Sequence, residues 1–132
     1  MQIIVLYLTT ALIFLLTDAV MLKLVLKPFF SGYLGNWLLE DIRIVPAVVF
    51  YLFYIAGLLW FVSIPALKSG VTFHALLGGA LLGAMAYGTY EFTNYATLKN
   101  WSINMVALDL IWGTVLTGFS AYGGVLITKA VS

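Results

Sequence analysis

A chain of 132 residues in which 64% are hydrophobic and 8% are charged has too few polar side chains to cover a surface that faces water. A formal net charge of +1 gives no electrostatic basis for binding nucleic acid. The lack of cysteine excludes disulfides, thiolate metal sites and cysteine nucleophiles. The composition therefore predicts an integral membrane protein that contacts lipid.

Four apolar segments are long enough to cross a bilayer, which takes a helix of roughly 20 residues. They cover about residues 3–26, 44–64, 71–94 and 103–128. Helices are predicted because a backbone in lipid must satisfy its own hydrogen bonds, and no period-two alternation indicates a membrane barrel. The fold class predicted is all-α: a four-transmembrane-helix antiparallel bundle that forms one domain over residues 1–132, with both termini on one side.

The ends of the spans are predicted from proline and from charge. Pro28 is expected to end the first helix, and Pro65 to begin a tight second loop. The first segment is interpreted as a retained span, because Met1 and Gln2 supply no positive charge before it. The aromatic residues of the first loop are expected to form an interfacial belt, and they are Phe29, Phe30, Tyr33 and Trp37.

Basic residues give a prediction of orientation. Four of them fall on the face of the first and third loops: Lys23, Lys27, Arg43 and Lys99. Only Lys68 and Lys129 fall on the opposite face. The positive-inside rule then places the first and third loops in the cytoplasm and both termini outside.

Three acids fall inside the predicted spans, and all three fall at one depth. Asp18 and Glu91 each precede the end of a helix that runs towards the first and third loops, and Asp109 follows the start of a helix that leaves that face. At 1.5 Å of rise per residue, each acid lies roughly 5–10 Å inside the same face. Such an acid costs about 2.5–3.5 kcal/mol, so it normally faces the bundle interior or a water-filled cavity.

Residues spaced by four place two of these acids on ridges of small side chains. The third span carries Gly79, Gly83, Tyr87 and Glu91. The fourth span carries Asp109, Gly113, Thr117 and Ala121. The GxxxG step allows close helix packing, so these ridges are expected to face neighbouring helices.

The acids are therefore expected to share a polar or ligand-binding pocket, with the four cations of that face as sources of counter-charge. Its predicted members are Asp18, Tyr87, Tyr90, Glu91, Asn94, Asn104, Asp109 and Trp112. The alternative is that the acids are interfacial groups or only lock helices together. One histidine and no cysteine leave haem or zinc sites poorly supplied. A hard cation would accept oxygen ligands from Asp18, Glu91 and Asp109, but the sequence does not establish such a site, so no metal site is predicted and the cofactor stays unknown.

Three stretches carry a family resemblance: "LLTDAVML", "YGTYEFTNYATLKNW" and "LDLIWGTVLT". They resemble the bacterial domain-of-unknown-function family 2177 of predicted membrane proteins, and the resemblance covers nearly the whole chain. It implies four spans in a bacterial inner membrane and no established activity. Members of that family are often encoded near lipid-modifying enzymes, which is an association only.

Three functions stay open at this level. The first is a protein that binds a lipid or small amphipathic ligand, as a lipid-modifying enzyme or its accessory. The second is a small proton- or cation-coupled transporter, which would dimerise to enclose a path. The third is a structural or assembly subunit. The residues leave open whether the chain is an enzyme. Membrane lipid is the expected partner, with a lipophilic ligand and a homodimer as further partners to test.

Overall fold

The structure is a computed structural model that describes residues 2–35 and 43–131. Within these ranges the chain forms no strand and four long helices, which confirms the predicted all-α fold. The helices are α1 (Gln2–Leu34), α2 (Ile44–Ser69), α3 (Phe73–Thr97) and α4 (Ile103–Val131). Trp37, predicted to belong to the interfacial belt, lies outside the described residues.

Contacts at the two ends of the bundle show how the helices are arranged. Asn104 Nδ2 donates to the Tyr33 hydroxyl at 3.1 Å, so α4 starts where α1 ends. Lys129 Nζ donates to Gly70 O and to Thr72 Oγ1, both at 3.1 Å, so α4 ends at the turn between α2 and α3. Successive helices therefore run antiparallel, as predicted.

The predicted end of the first helix at Pro28 is wrong. The helix continues through Pro28 to Leu34, and the segment Leu22–Leu26 just before the proline is a π turn. In this turn the Lys27 N–H donates to Leu22 O, five residues back. A π turn widens the helix, which accommodates a ring that would clash with the preceding turn of a regular α-helix. Phe29, Phe30 and Tyr33 are consequently helical.

The predicted start of the second loop at Pro65 is also wrong, and a π turn is again the reason. Pro65 does not begin a loop, because a π turn at Leu59–Ser63 precedes it and the helix continues to Ser69. Gly70 then ends the helix with φ of 78°, a left-handed conformation that glycine adopts without steric cost. The connection between α2 and α3 is consequently shorter than predicted.

The two small-residue ridges pack against each other, which makes α3 and α4 the most closely packed helices. A Cβ at Gly79 would lie 2.9 Å from the Gly118 Cα and 3.0 Å from the Ala121 Cβ. A Cβ at Gly83 would overlap the Gly113 carbonyl oxygen. Glycine is therefore required for this separation of the helices, as the GxxxG spacing predicts.

Large apolar side chains cover the outside of the bundle. On α1 they recur at every fourth position, as Ile4, Leu8, Leu12, Leu16, Val20 and Leu24, and each is more than half exposed. Among the described residues, three helices are long and apolar enough to cross a membrane: α1, α2 and α4. Helix α3 has comparable length but carries more polar residues, including Glu91. The exposed apolar surface makes this an all-α membrane bundle.

Candidate functional site

A cavity of about 660 Å³ lies in the half of the bundle that contains the acids. It forms because α2 lies against the other helices at its middle and diverges from α3 towards its start. At the middle, the Tyr54 and Thr117 hydroxyl groups are 3.0 Å apart. Nearer the start, Phe50 of α2 and Tyr90 of α3 both line the cavity and are 60% and 56% exposed. The cavity therefore opens sideways between α2 and α3.

Two of the three predicted acids form the deep wall of this cavity. Asp18 of α1 and Asp109 of α4 both line it, although their side chains are only 5% and 8% exposed. Trp112 Nε1 donates to Asp18 Oδ1 at 2.9 Å, and the Tyr51 hydroxyl of α2 also interacts with Asp18. The carboxyl group of Asp18 is thus held by neighbours from α2 and α4.

Glu91, the third acid, lies behind the cavity wall and is fully buried. Its Oε1 accepts a 2.8 Å hydrogen bond from Trp101 Nε1, whereas its Oε2 is buried without a hydrogen-bond partner. Its carboxyl group interacts directly with that of Asp109, which also experiences the charge of Asp18. The structure therefore brings all three acids together, two in contact with the cavity and one beside them.

The remaining predicted site residues lie in three different places. Tyr87 and Tyr90 line the cavity with the acids. Trp112 reaches Asp18 from the opposite face of α1. Asn94 is partly buried but does not line the cavity, and Asn104 is exposed at the bundle end, where it contacts Tyr33. The two asparagines are thus not brought to the cavity, because they lie nearer the membrane face than the acids do.

The site contains residues that sequence reasoning missed. Tyr51 and Tyr54 of α2 line the cavity, and their rings lie 5.6 and 5.7 Å from that of Phe14. Their hydroxyl groups, spaced by three in an otherwise apolar span, were the available signal. Trp101 was also missed as a site residue, although an indole N–H so close to a membrane face suits a buried acceptor.

Two of the four predicted counter-charges reach the cavity. Lys27 of α1 and Arg43, which immediately precedes α2, line the end of the cavity nearer the membrane face. Lys23 and Lys99 are exposed and do not line it. Between the cations and the acids the wall includes the apolar side chains of Leu22, Leu26, Ala47 and Phe50.

A hard cation would need several oxygen ligands arranged around one point. Within residues 2–35 and 43–131, no group of three or more acidic, histidine or cysteine side chains is arranged to hold a metal ion. The site is thus better described as a chain of acids and aromatic hydroxyls.

The fold and the site together define an all-α membrane protein whose bundle contains a mostly apolar cavity with buried acids in its wall. Residues 3–126 match the family described as "Predicted membrane protein (DUF2177)", so the chain belongs to that family. This confirms the resemblance carried by the three sequence stretches. No curated protein and no solved structure matches the chain.

Proposed function

We propose that this protein binds a lipid or a lipid-like amphipathic molecule in the cavity, as a lipid-modifying enzyme or as an accessory to one. The observation that carries the proposal is the cavity itself. Its volume of about 660 Å³ lies in the range of small-molecule sites, and a mostly apolar wall with a few convergent polar groups is typical of them. A subunit that only locked helices together would have no need of this space.

The order of chemical groups along the cavity indicates the polarity of the ligand. Lys27 and Arg43 line the end of the cavity nearer the membrane face (its mouth), where the head groups of surrounding lipids would lie. Leu22 of α1 and Ala47 and Phe50 of α2 supply an apolar wall further in. An anionic head group at the mouth with a hydrocarbon chain along the wall would satisfy both regions. The sideways opening between α2 and α3 would admit such a molecule directly from the bilayer.

The opposite half of the bundle favours binding over transport. Its interior is packed by apolar side chains that include Leu6, Ile55, Leu58, Leu116 and Val125, each at most 1% exposed, with the fully buried hydroxyl groups of Thr10, Ser63 and Ser120 among them. A transporter needs a path to both faces, and this packed interior closes one of them. The four helices line the cavity without a second copy, so the proposal does not depend on the homodimer that the sequence left open.

The proposal places the protein in a bacterial inner membrane, with α3 as a fourth span. The polar side chain of Glu91 on α3 is buried within the bundle, so the helix can present an apolar face to lipid. The end of the bundle that carries Lys27, Arg43 and Lys99 would face the cytoplasm, in accordance with the positive-inside rule. The cavity mouth would then open at the cytoplasmic leaflet, where anionic lipids attract basic groups.

The test is the lipid content of the protein purified in mild detergent, measured by native mass spectrometry and lipid extraction. We expect the wild-type protein to retain an anionic lipid that the double variant Lys27→Gln/Arg43→Gln loses. Lys68→Gln, at the opposite end of the bundle, is the matched control and should retain it. Thermal unfolding of each variant establishes that the fold is intact. Equal lipid retention in all three proteins would mean that the lipid is only annular and would overturn the proposal.

A further inference from the structure

We infer that Asp109 is a neutral carboxylic acid whose O–H donates a hydrogen bond to Oε2 of Glu91, so that the pair carries one negative charge and one proton. The inference concerns the two acids themselves and does not require the cavity to hold a lipid. Its consequence for the ligand rests on the proposed function.

One oxygen of Glu91 is buried without a hydrogen-bond donor, and a proton on the neighbouring acid would provide that donor. Glu91 is fully buried, its Oε1 already accepts from Trp101, and its Oε2 has no hydrogen-bond partner. The neighbouring group is the carboxyl of Asp109, which is itself more than nine-tenths buried. A buried oxygen that lacks a hydrogen-bond donor destabilises the folded protein by about 1–3 kcal/mol. A protonated Asp109 is the group in place to supply the donor.

In the described part of the chain, acids and tyrosines act on the pair, and the cations Lys27 and Arg43 line the same cavity further out. The titratable groups that act on Asp109 or Glu91 come from three neighbouring elements: Asp18 of α1, Tyr51 of α2, and Tyr87 and Tyr90 of α3. None of these groups is a cation. Two adjacent carboxylates without a cation repel each other strongly where water is excluded, and one proton between them removes most of that repulsion.

The position of the proton follows from the hydrogen bonds. Glu91 Oε1 already accepts from Trp101, and Oε2 is the oxygen that still lacks a donor. The proton is therefore assigned to Asp109, whose O–H can donate to Oε2, and Glu91 remains the acceptor of both hydrogen bonds. This arrangement places the negative charge behind the wall and leaves the uncharged carbonyl oxygen of Asp109 towards the cavity.

The arrangement defines which chemical group the ligand can place at Asp109. A neutral carboxylic acid oxygen accepts a hydrogen bond, so a hydroxyl group of the ligand fits there and no ammonium group is required. A second negative charge would instead demand a cationic partner. The predicted ligand thus combines an anionic head group at Lys27 and Arg43 with an uncharged, hydroxyl-bearing portion deeper in the cavity.

The test is infrared spectroscopy of the protein in dodecyl maltoside, a detergent without a carbonyl group, after lipid removal. A protonated carboxylic acid gives a carbonyl band separate from those of carboxylates. We expect this band at neutral pH in the wild-type protein, and we expect it to shift when aspartate, but not glutamate, carries a ¹³C-labelled carboxyl group. Asp109→Asn should lose the band, whereas Asp18→Asn should keep it.

A second variant tests the coupling between the two acids. Glu91→Gln should also lose the band although Asp109 is still present, because the Gln amide N–H would donate to Asp109 and stabilise its ionised form. A wild-type protein without the band, or a band that follows the glutamate label or Asp18, would overturn the inference. The labelling experiment needs no substitution and decides by itself between aspartate and glutamate, so a missing band or a band that follows the glutamate label overturns the inference even if a variant fails to fold. Lipid retention is measured in a separate experiment. A negative lipid result therefore leaves the inference about the proton standing, and a missing infrared band leaves the lipid proposal standing.

Discussion

The indole N–H of Trp101 donates a 2.8 Å hydrogen bond to Oε1 of Glu91, which joins the connection after α3 to the interior of the bundle. Neighbouring rings hold the indole edge-on, with Phe30 at 5.6 Å and Tyr90 at 5.9 Å. Trp101 is 8% exposed although it lies outside the helices. The connection between α3 and α4 is thus part of the structure that encloses the acids.

Replacement of Trp101 by phenylalanine should destabilise the protein by about 1–3 kcal/mol, the cost of leaving a buried acceptor without its donor. The phenyl ring preserves much of the packing against Phe30, so most of the effect should come from the lost N–H. Unfolding of the protein in mixed micelles, followed by circular dichroism, measures the change. Trp60→Phe is the matched control, because Trp60 is 73% exposed on the apolar outer surface. Equal effects at Trp101 and Trp60 would contradict the prediction.

The parts of this fold that the sequence predicted depend on helical periodicity, which is a local property. Residues four apart on α3, from Gly79 to Glu91, had to share one face once the segment was helical. The same rule aligned Gly113 with Asp109 on α4. Helix ends were predicted less well, because Pro28 and Pro65 each follow a π turn that no residue type specifies. Proline alone indicates only that a regular α-helical hydrogen bond is missing.

The acids of the candidate site were predicted from another local property, the cost of placing a charge in a membrane span. A buried acid in a membrane span is costly, so Asp18, Glu91 and Asp109 stood out in the sequence. The divergence of α2 from α3, which creates the cavity, is a relationship between helices, and no single segment encodes it. The spacing of Tyr51 and Tyr54 places both hydroxyl groups on one face of α2, but it does not specify that this face lines a cavity.

Gly83→Ala should destabilise the bundle by about 1–3 kcal/mol or more, because the added methyl group would overlap the Gly113 carbonyl oxygen and contact Thr117. Backbone atoms cannot rotate away, so α3 and α4 would have to separate. Gly57→Ala is the matched control, since a Cβ there has no atom within 4 Å, and it should leave stability unchanged or slightly raised. The measurement is the free energy of unfolding of Gly83→Ala and of Gly57→Ala, each compared with that of the wild-type protein. A loss at Gly57 as large as that at Gly83 would refute the packing argument.

Single cysteines should report the orientation of the bundle, since the natural chain contains none. Asn100 lies in the connection between α3 and α4, and Val71 lies in the turn between α2 and α3; both are exposed. In intact cells with a permeable outer membrane, an impermeant maleimide should label Val71→Cys, and should label Asn100→Cys only after the inner membrane is opened. Labelling of both residues from the same side would show that α3 does not cross the membrane. Labelling of Asn100→Cys in intact cells, with Val71→Cys labelled only after the inner membrane is opened, would show the orientation opposite to the one proposed.

Filling the cavity should remove the ligand without changing any charge. Ala47 of α2 and Ala86 of α3 line the cavity on the two sides of its opening, so a tryptophan at either position would occupy the space of the hydrocarbon chain. We expect Ala47→Trp and Ala86→Trp to purify with much less of the lipid that the wild-type protein retains. Ala107→Trp is the matched control, because Ala107 is exposed on α4 away from the cavity and should retain the lipid. Quantitative lipid extraction from equal amounts of folded protein provides the measurement. Retention that is unchanged by both cavity substitutions would show that the lipid binds elsewhere, whatever the effect of Lys27 and Arg43.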